Sequence, residues 1–233
     1  FFARSVFQQE VPLNSEYWED ARYWAERTDE DIAPGEVWNL GDVVLSPRSL
    51  DISRIDGQDR FDVGVSVSQT LYPDDALPVE GVPVVYVASG FNFPDALTAG
   101  PAAALDDGVV LLVRPDAIPA AVAEELGRLR PQRIVVAGGP ASVSPAVFDD
   151  LSRFVPSSSD VVRANGVDRY EASRAVVRGA FSETGSDVAI ISTGANFPDA
   201  LSAGPAAASQ EAPVILVNGS ASSIDSATRD LLD

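Results

Sequence analysis

The 233-residue chain has no cysteine, no histidine, no methionine and no lysine. Without cysteine there are no disulfides, thiolate metal sites or cysteine nucleophiles. Without histidine every triad built on an imidazole base is removed as well. Acid–base or nucleophilic chemistry would have to run on carboxylates, hydroxyls and arginine. The missing lysine leaves 16 basic residues, all arginine, against 35 Asp and Glu, for a formal net charge of −19. A surface of that sign repels nucleic acid and anionic lipid, so neither is expected as a partner. No stretch approaches the ~20 uninterrupted apolar residues of a membrane span. The acidic excess reads as a solubility device or, alternatively, as a surface that recruits Ca²⁺ or Mg²⁺; no acidic loop has the D-x-[DN]-x-[DN]-G spacing of a calcium hand, so no dedicated metal site and no cofactor is expected. The chain opens on Phe1-Phe2 with neither an initiator methionine nor a signal-peptide pattern, which fits a mature or clipped part of a longer product.

What is present is repetition. Residues 93–104 read FPDALTAGPAAA and residues 197–208 read FPDALSAGPAAA, differing only at Thr98 and Ser202. The match extends outward: VVYVASGFNF at 84–93 aligns with VAIISTGANF at 188–197, and VLLV at 110–113 with VILV at 214–217, all at an offset of 104. Upstream, RIDGQDRF at 54–61 aligns with RANGVDRY at 163–170 at an offset of 109. The five-residue difference places an insertion in the first copy, at the Pro- and Asp-rich stretch Tyr72–Gly81, where a surface loop tolerates it.

Each copy reads as strands alternating with helices. Helices are expected over Arg60–Leu71 and its counterpart Tyr170–Phe181, over the segment opened by Pro94, over Pro119–Leu129 and from the Ser144-Pro145 cap onward. Gly100-Pro101 is expected to kink or end the helix that contains it. Continuous apolar runs at 84–88, 109–113 and 133–137 read as parallel strands covered on both faces, with 188–191 and 214–217 repeating the first two. The predicted class is α/β: tandem small modules, each a short, mostly parallel sheet flanked by helices and joined by right-handed crossovers. The organisation is a segment of unknown role at 1–50, a first copy at 51–158 and a second at 159–233, which stops inside the helix matching Pro119–Leu129. Within 1–50, residues 14–27 have the pattern of an amphipathic helix, and Trp18, Trp24 and Trp38 read as packing groups.

Candidate functional residues lie where strands lead into helices, the carboxyl edge at which open α/β sheets receive ligands. Asn92 and Asn196 suit turns with positive φ, and Asp95 and Asp199 fall in the first helical turn, where a carboxylate complements the helix dipole. Arg60 and Arg169 recur at helix starts; each calls for a carboxylate partner, with Asp95 and Asp199 the natural candidates, or contacts ligand directly. Gly138-Gly139 reads as a tight strand-to-helix turn, because the full phosphate-binding glycine spacings are absent.

The combination GxDRY…NFPDALSAGPAA…PVILV with RIVVAGGPASVS resembles the cell-wall-binding repeat 2 family of Gram-positive surface-layer proteins and secreted enzymes, over about 54–233. The resemblance implies Toprim-like or Rossmann-like modules, commonly three packed about a pseudo-threefold axis. It also implies a non-catalytic, extracellular anchor holding anionic wall polysaccharide or a teichoic-acid-like polymer. Arg60, Arg169, Asp95 and Asp199 fall on its motif positions; with Asn92 and Asn196 they are the polymer-binding candidates, and the neighbouring repeat of the same chain is a second expected partner. Two alternatives are a surface-layer protein whose repeats drive lateral assembly, and a carboxylate hydrolase using Asp95 with Asp199. The latter needs two acids within ~5–10 Å, whereas these occupy equivalent places in separate copies.

Overall fold

The structure, a computed structural model, describes residues 54–232. The expected helix at 14–27, the three tryptophans and the segment 1–50 lie outside the described residues. Both copies belong to one compact unit, Ser53–Asp233.

The first copy opens with helix α1, Arg60–Leu71, started by Asp59, whose carboxylate accepts from the Phe61 and Asp62 amides. Asp168 does the same for its counterpart α5, Arg169–Phe181, through Tyr170 and Glu171. An N-cap of this kind satisfies orphan amides and sets a negative charge on the positive helix end, which offsets the unfavourable arginine beside it.

Strands β1 (Val84–Ser89), β2 (Val109–Val113), β3 (Arg133–Ala137) and β4 (Val161–Ala164) form one parallel sheet in the order β2-β1-β3-β4. The first three are the expected strands, side by side. Strand β4 was not anticipated: it is four residues long and contains Arg163, so it carries no continuous apolar run. It lies in the second-copy range yet completes the first sheet.

Between the strands run α2 (Pro94–Leu105), α3 (Ala120–Leu129) and α4 (Pro145–Leu151), the last capped by Ser144 as expected. Alternation sorts the sheet's side chains. Val85, Val87, Ile134 and Val136 face α1, α3 and α4, while Val84, Tyr86, Ala88 and Val135 face α2 and α5. Each fully buried valine or isoleucine contributes about 1.5–3 kcal/mol.

In the second copy β5 (Ile190–Thr193) and β6 (Val214–Val217) pair in parallel, with α6 (Pro198–Ala208) between them and α7 (Ser226–Leu232) after them. Their register repeats the first copy: Ile190 faces Val214 as Tyr86 faces Val110, and Thr193 faces Val217 as Ser89 faces Val113. Ile215 joins Val84, Tyr86, Val176 and Val177 in a single buried cluster, so the two copies share a core.

The Gly-Pro pairs do not end their helices. Both α2 and α6 run through, with Pro101 and Pro205 inside. Proline forfeits one backbone hydrogen bond, and tertiary packing of the surrounding small residues outweighs that loss. The helices end at Leu105 and Ala208, and just beyond, at Asp107 and Glu211, the chain turns left-handed (φ 49° and 50°) so that the Gly108 and Ala212 amides reach back to the Ala103 and Ala207 carbonyls.

The two near-identical helices differ in exposure. Asp95, Thr98, Pro101 and Ala102 of α2 are buried, whereas their counterparts Asp199, Ser202, Pro205 and Ala206 of α6 are exposed. For Thr98 and Ala102 the cause is α5, which packs on α2: the Thr98 hydroxyl donates to Ser173 Oγ at 3.2 Å, and Ser173 Oγ accepts from the Leu216 amide at 3.0 Å. One serine thereby ties helix α2, helix α5 and strand β6 together.

Candidate functional site

In the order β2-β1-β3-β4 the chain leaves β1 toward β2 and then crosses to β3, so the topological switch crevice lies between the carboxyl ends of β1 and β3. Two loops border it, residues 90–93 after β1 and 138–144 after β3. Gly138 takes φ +105°, and a Cβ there would stand 2.3 Å from Asp95 Oδ2, so only glycine admits the carboxylate. Arg163 of β4 fastens the second loop, donating from Nη1 to the Gly138 and Val143 carbonyls at 3.0 Å each, with its guanidinium 4.5 Å from the Phe148 ring centre. Asp95 fills the crevice from the first turn of α2. Burial pushes its carboxyl above the usual aspartate range, opposed by the Ser142 hydroxyl and the Arg169 charge.

The arginines are held differently from the expected clamp. Arg60 donates to the Gly90 carbonyl at 2.5 Å, and Arg169 to the Gly194 carbonyl at 2.6 Å. Among the described residues neither forms an ion pair with Asp95 or Asp199. Gly90 and Gly194 stand 104 residues apart, so one hydrogen bond braces the same loop in each copy. A backbone carbonyl at the strand end satisfies the guanidinium where a carboxylate had been expected. The charge that Asp95 feels comes from Arg169, which belongs to the other copy.

Further contacts cross between the copies at this junction. The Arg169 guanidinium lies 5.7 Å from the Phe93 ring centre, and Phe93 meets Phe197 edge-on at 5.8 Å. Asn92, Asn196 and Asp199 are exposed. Neither asparagine has positive φ: among the described residues, those outside glycine that do are Asp107, Arg130 and Glu211. The structure thus brings Asp95 and Arg169 together and leaves Asp199 on the surface.

Ser142, Arg163, Phe93 and Phe197 were not foreseen as part of this edge. The two phenylalanines recur at the 104-residue offset and Arg163 recurs as Arg54 at 109, so the signal lay in the repeat itself. Two shallow hollows of about 260 and 290 Å³ lie at the opposite, amino end of β5 and β6, away from these loops. Among the described residues no group of three or more acidic side chains converges as a metal ligand set, and no helix is long and apolar enough to cross a membrane.

A family model described as cell wall binding domain 2 matches residues 54–148 and 163–231, which takes in both copies. Over 199 residues the chain is 25% identical to N-acetylmuramoyl-L-alanine amidase LytC of Bacillus subtilis, covering 83% of this chain and 36% of that protein. It is 32% identical over 125 residues to the Amidase enhancer of the same organism, covering 53% of this chain and 17% of the relative. Among solved structures it resembles Cwp6 from Clostridium difficile with a TM-score of 0.68 and 28% identity, covering 76% of this chain and 26% of that one. Cwp8 from Clostridium difficile follows at 0.66 and 25%, covering 76% and 29%. The chain therefore spans little more than a third, or less, of each of these proteins.

Proposed function

The chain belongs to the cell wall binding domain 2 family, a family of binding modules, and from that premise we propose that it holds an extracellular protein to an anionic secondary polymer of the Gram-positive wall without catalysing a reaction. The observation that carries the proposal is the duplicated strand-to-helix loop, braced in each copy by an arginine on a glycine carbonyl. A wall polymer is itself repetitive, so two equivalent loops on one chain raise avidity with no new kind of contact. In this reading the exposed Arg60, Asn92, Arg169, Asn196 and Asp199 meet the polymer, and buried Asp95 shapes the loop from beneath.

A non-catalytic role agrees with the state of the two carboxylates. Asp95 is closed against Gly138 and Ser142, and Asp199 lies on open surface. Net charge opposes binding to a polyanion, so attraction must be local to the arginines and screened by salt.

The test is co-sedimentation with purified Gram-positive walls before and after extraction of their secondary polymer. Binding to intact walls that disappears on extraction supports the proposal. Equal binding to extracted peptidoglycan, or cleavage of the wall by the purified chain, would overturn it.

A further inference from the structure

The two copies agree in register and differ at one corner. At the β2 side of the first sheet, Arg114, the residue after β2, places its guanidinium 5.9 Å from the Phe61 ring centre and 5.5 Å from that of Phe91. The two rings are 6.4 Å apart. Phe61 is 5% exposed and anchored in the core, whereas Phe91 is 57% exposed. Arg60 reaches the same corner, since a Cβ on Gly90 would meet Phe61 Cε1 at 2.6 Å and Arg60 Cδ at 3.3 Å. Neither arginine has an ion-pair partner among the described residues, and the adjacent Asp59 carboxylate is occupied in capping α1.

The second copy keeps the brace, Arg169 on Gly194, and a ring against that glycine, Tyr170, but loses the exposed phenylalanine and the second arginine. Tyr170, Ala195 and Asn218 stand where the first copy has Phe61, Phe91 and Arg114. A solvent-exposed phenylalanine with an unpaired arginine lying over it is not needed for the loop, because the second copy builds the same loop without either.

We propose that this corner is an anion subsite confined to the first copy, taking an oxoanion, phosphate or carboxylate, carried on a polymer of sugars or polyols. Arg60 and Arg114 supply forked donors and positive charge, and the open face of Phe91 takes the apolar side of the unit that bears the anion. The proposal rests on the wall-polymer reading and makes the two loops unequal: the first selects for charge, and the second adds avidity.

The experiment titrates the full chain with a soluble glycerol-phosphate polymer, a polyuronate and neutral dextran, by calorimetry at low salt, with thermal melts as folding controls. The chain should bind at least one polyanion and leave dextran unbound, and the two polyanions distinguish phosphate from carboxylate as the preferred group. Arg114→Ala should weaken that binding about ten- to a hundredfold, the loss expected of a charge-assisted hydrogen bond, while Asn218→Ala changes it less than about twofold. Rebuilding the second corner with Tyr170→Phe, Ala195→Phe and Asn218→Arg should double the number of sites. Equal affinities for the parent and Arg114→Ala, or no binding of either polyanion, would overturn the subsite. If the parent still sediments with intact walls in that case, the wall reading survives it; if it binds the polyanion and ignores walls, only the wall reading falls.

Discussion

Ala102 and Ala206 occupy the same place in the same local sequence, AGPAAA, but have opposite surroundings. Ala102 is 1% exposed, packed in the cluster that contains Val176 and Val177 of α5, while Ala206 faces outward. Replacing each by leucine adds the same three carbons to the same helical turn. At Ala102 those carbons enter a filled layer between α2 and α5, and overpacking of this kind costs about 1–3 kcal/mol. At Ala206 they enter open surface, where substitutions stay within about 0.5 kcal/mol. For a chain of this size each kcal/mol moves the melting temperature by about 2–4 °C, so Ala102→Leu should lower Tm by about 2–12 °C and Ala206→Leu by about 2 °C or less. Circular-dichroism melts of the two variants beside the parent measure the difference directly. Equal shifts, or a larger loss at Ala206, would refute the packing of α5 on α2 and with it the shared core.

Glu125 is buried on α3, where its carboxylate accepts from the Ser68 hydroxyl at 2.5 Å and from two nitrogens of Arg128 at 2.8 Å each. Glu125→Gln should cost about 1.5–3 kcal/mol, measured by urea unfolding at neutral pH. These hydrogen bonds hold its carboxyl below the usual glutamate range against the opposing effect of burial. Its stabilisation is therefore present above the unfolded-state value and lost as pH falls through the lower folded value; the parent and the Gln variant should converge in acid. Asp95 has the opposite sign: its folded pKa is raised, so the native state holds the proton longer and stability declines as pH rises from 3.8 toward the raised value. Asp95→Asn should lack that decline, and a parent-minus-variant difference that stays flat across the acid range would contradict the burial argument. Arg60→Ala and Arg169→Ala each remove one hydrogen bond from a part-buried loop, costing up to about 1.5 kcal/mol, and should weaken wall binding in the folded fraction. Lost stability with unchanged affinity would leave both arginines as architecture.

Most of the fold could be read from apolar runs and from the repeat, because β1, β2 and β3 are continuous apolar segments, β1 and β3 buried on both faces and the edge strand β2 fully buried on one. Strand β4 escaped notice because a four-residue strand with an arginine in it has no run to detect; its place is set by backbone pairing to β3 and by Arg163 reaching the Gly138 carbonyl. The helix through Pro101 misled for a related reason, since a local penalty is visible in sequence and the packing that overrides it is not. At the site, the recurrence of Arg60 and Arg169 was plain, but their partners were backbone carbonyls, which every residue has and no motif marks. The unequal burial of α2 and α6 could not have been read at all. Twelve nearly identical residues carry no information about which of two helices α5 will cover.

Recognition of the secondary polymer of the wall is tested most directly by a calorimetric titration of the chain with that polymer released from purified Gram-positive walls. Binding should be saturable, weaken as ionic strength rises and involve more than one polymer-contacting loop per chain. Absence of binding to the released polymer, with tight binding to the stripped peptidoglycan left behind, would contradict that recognition.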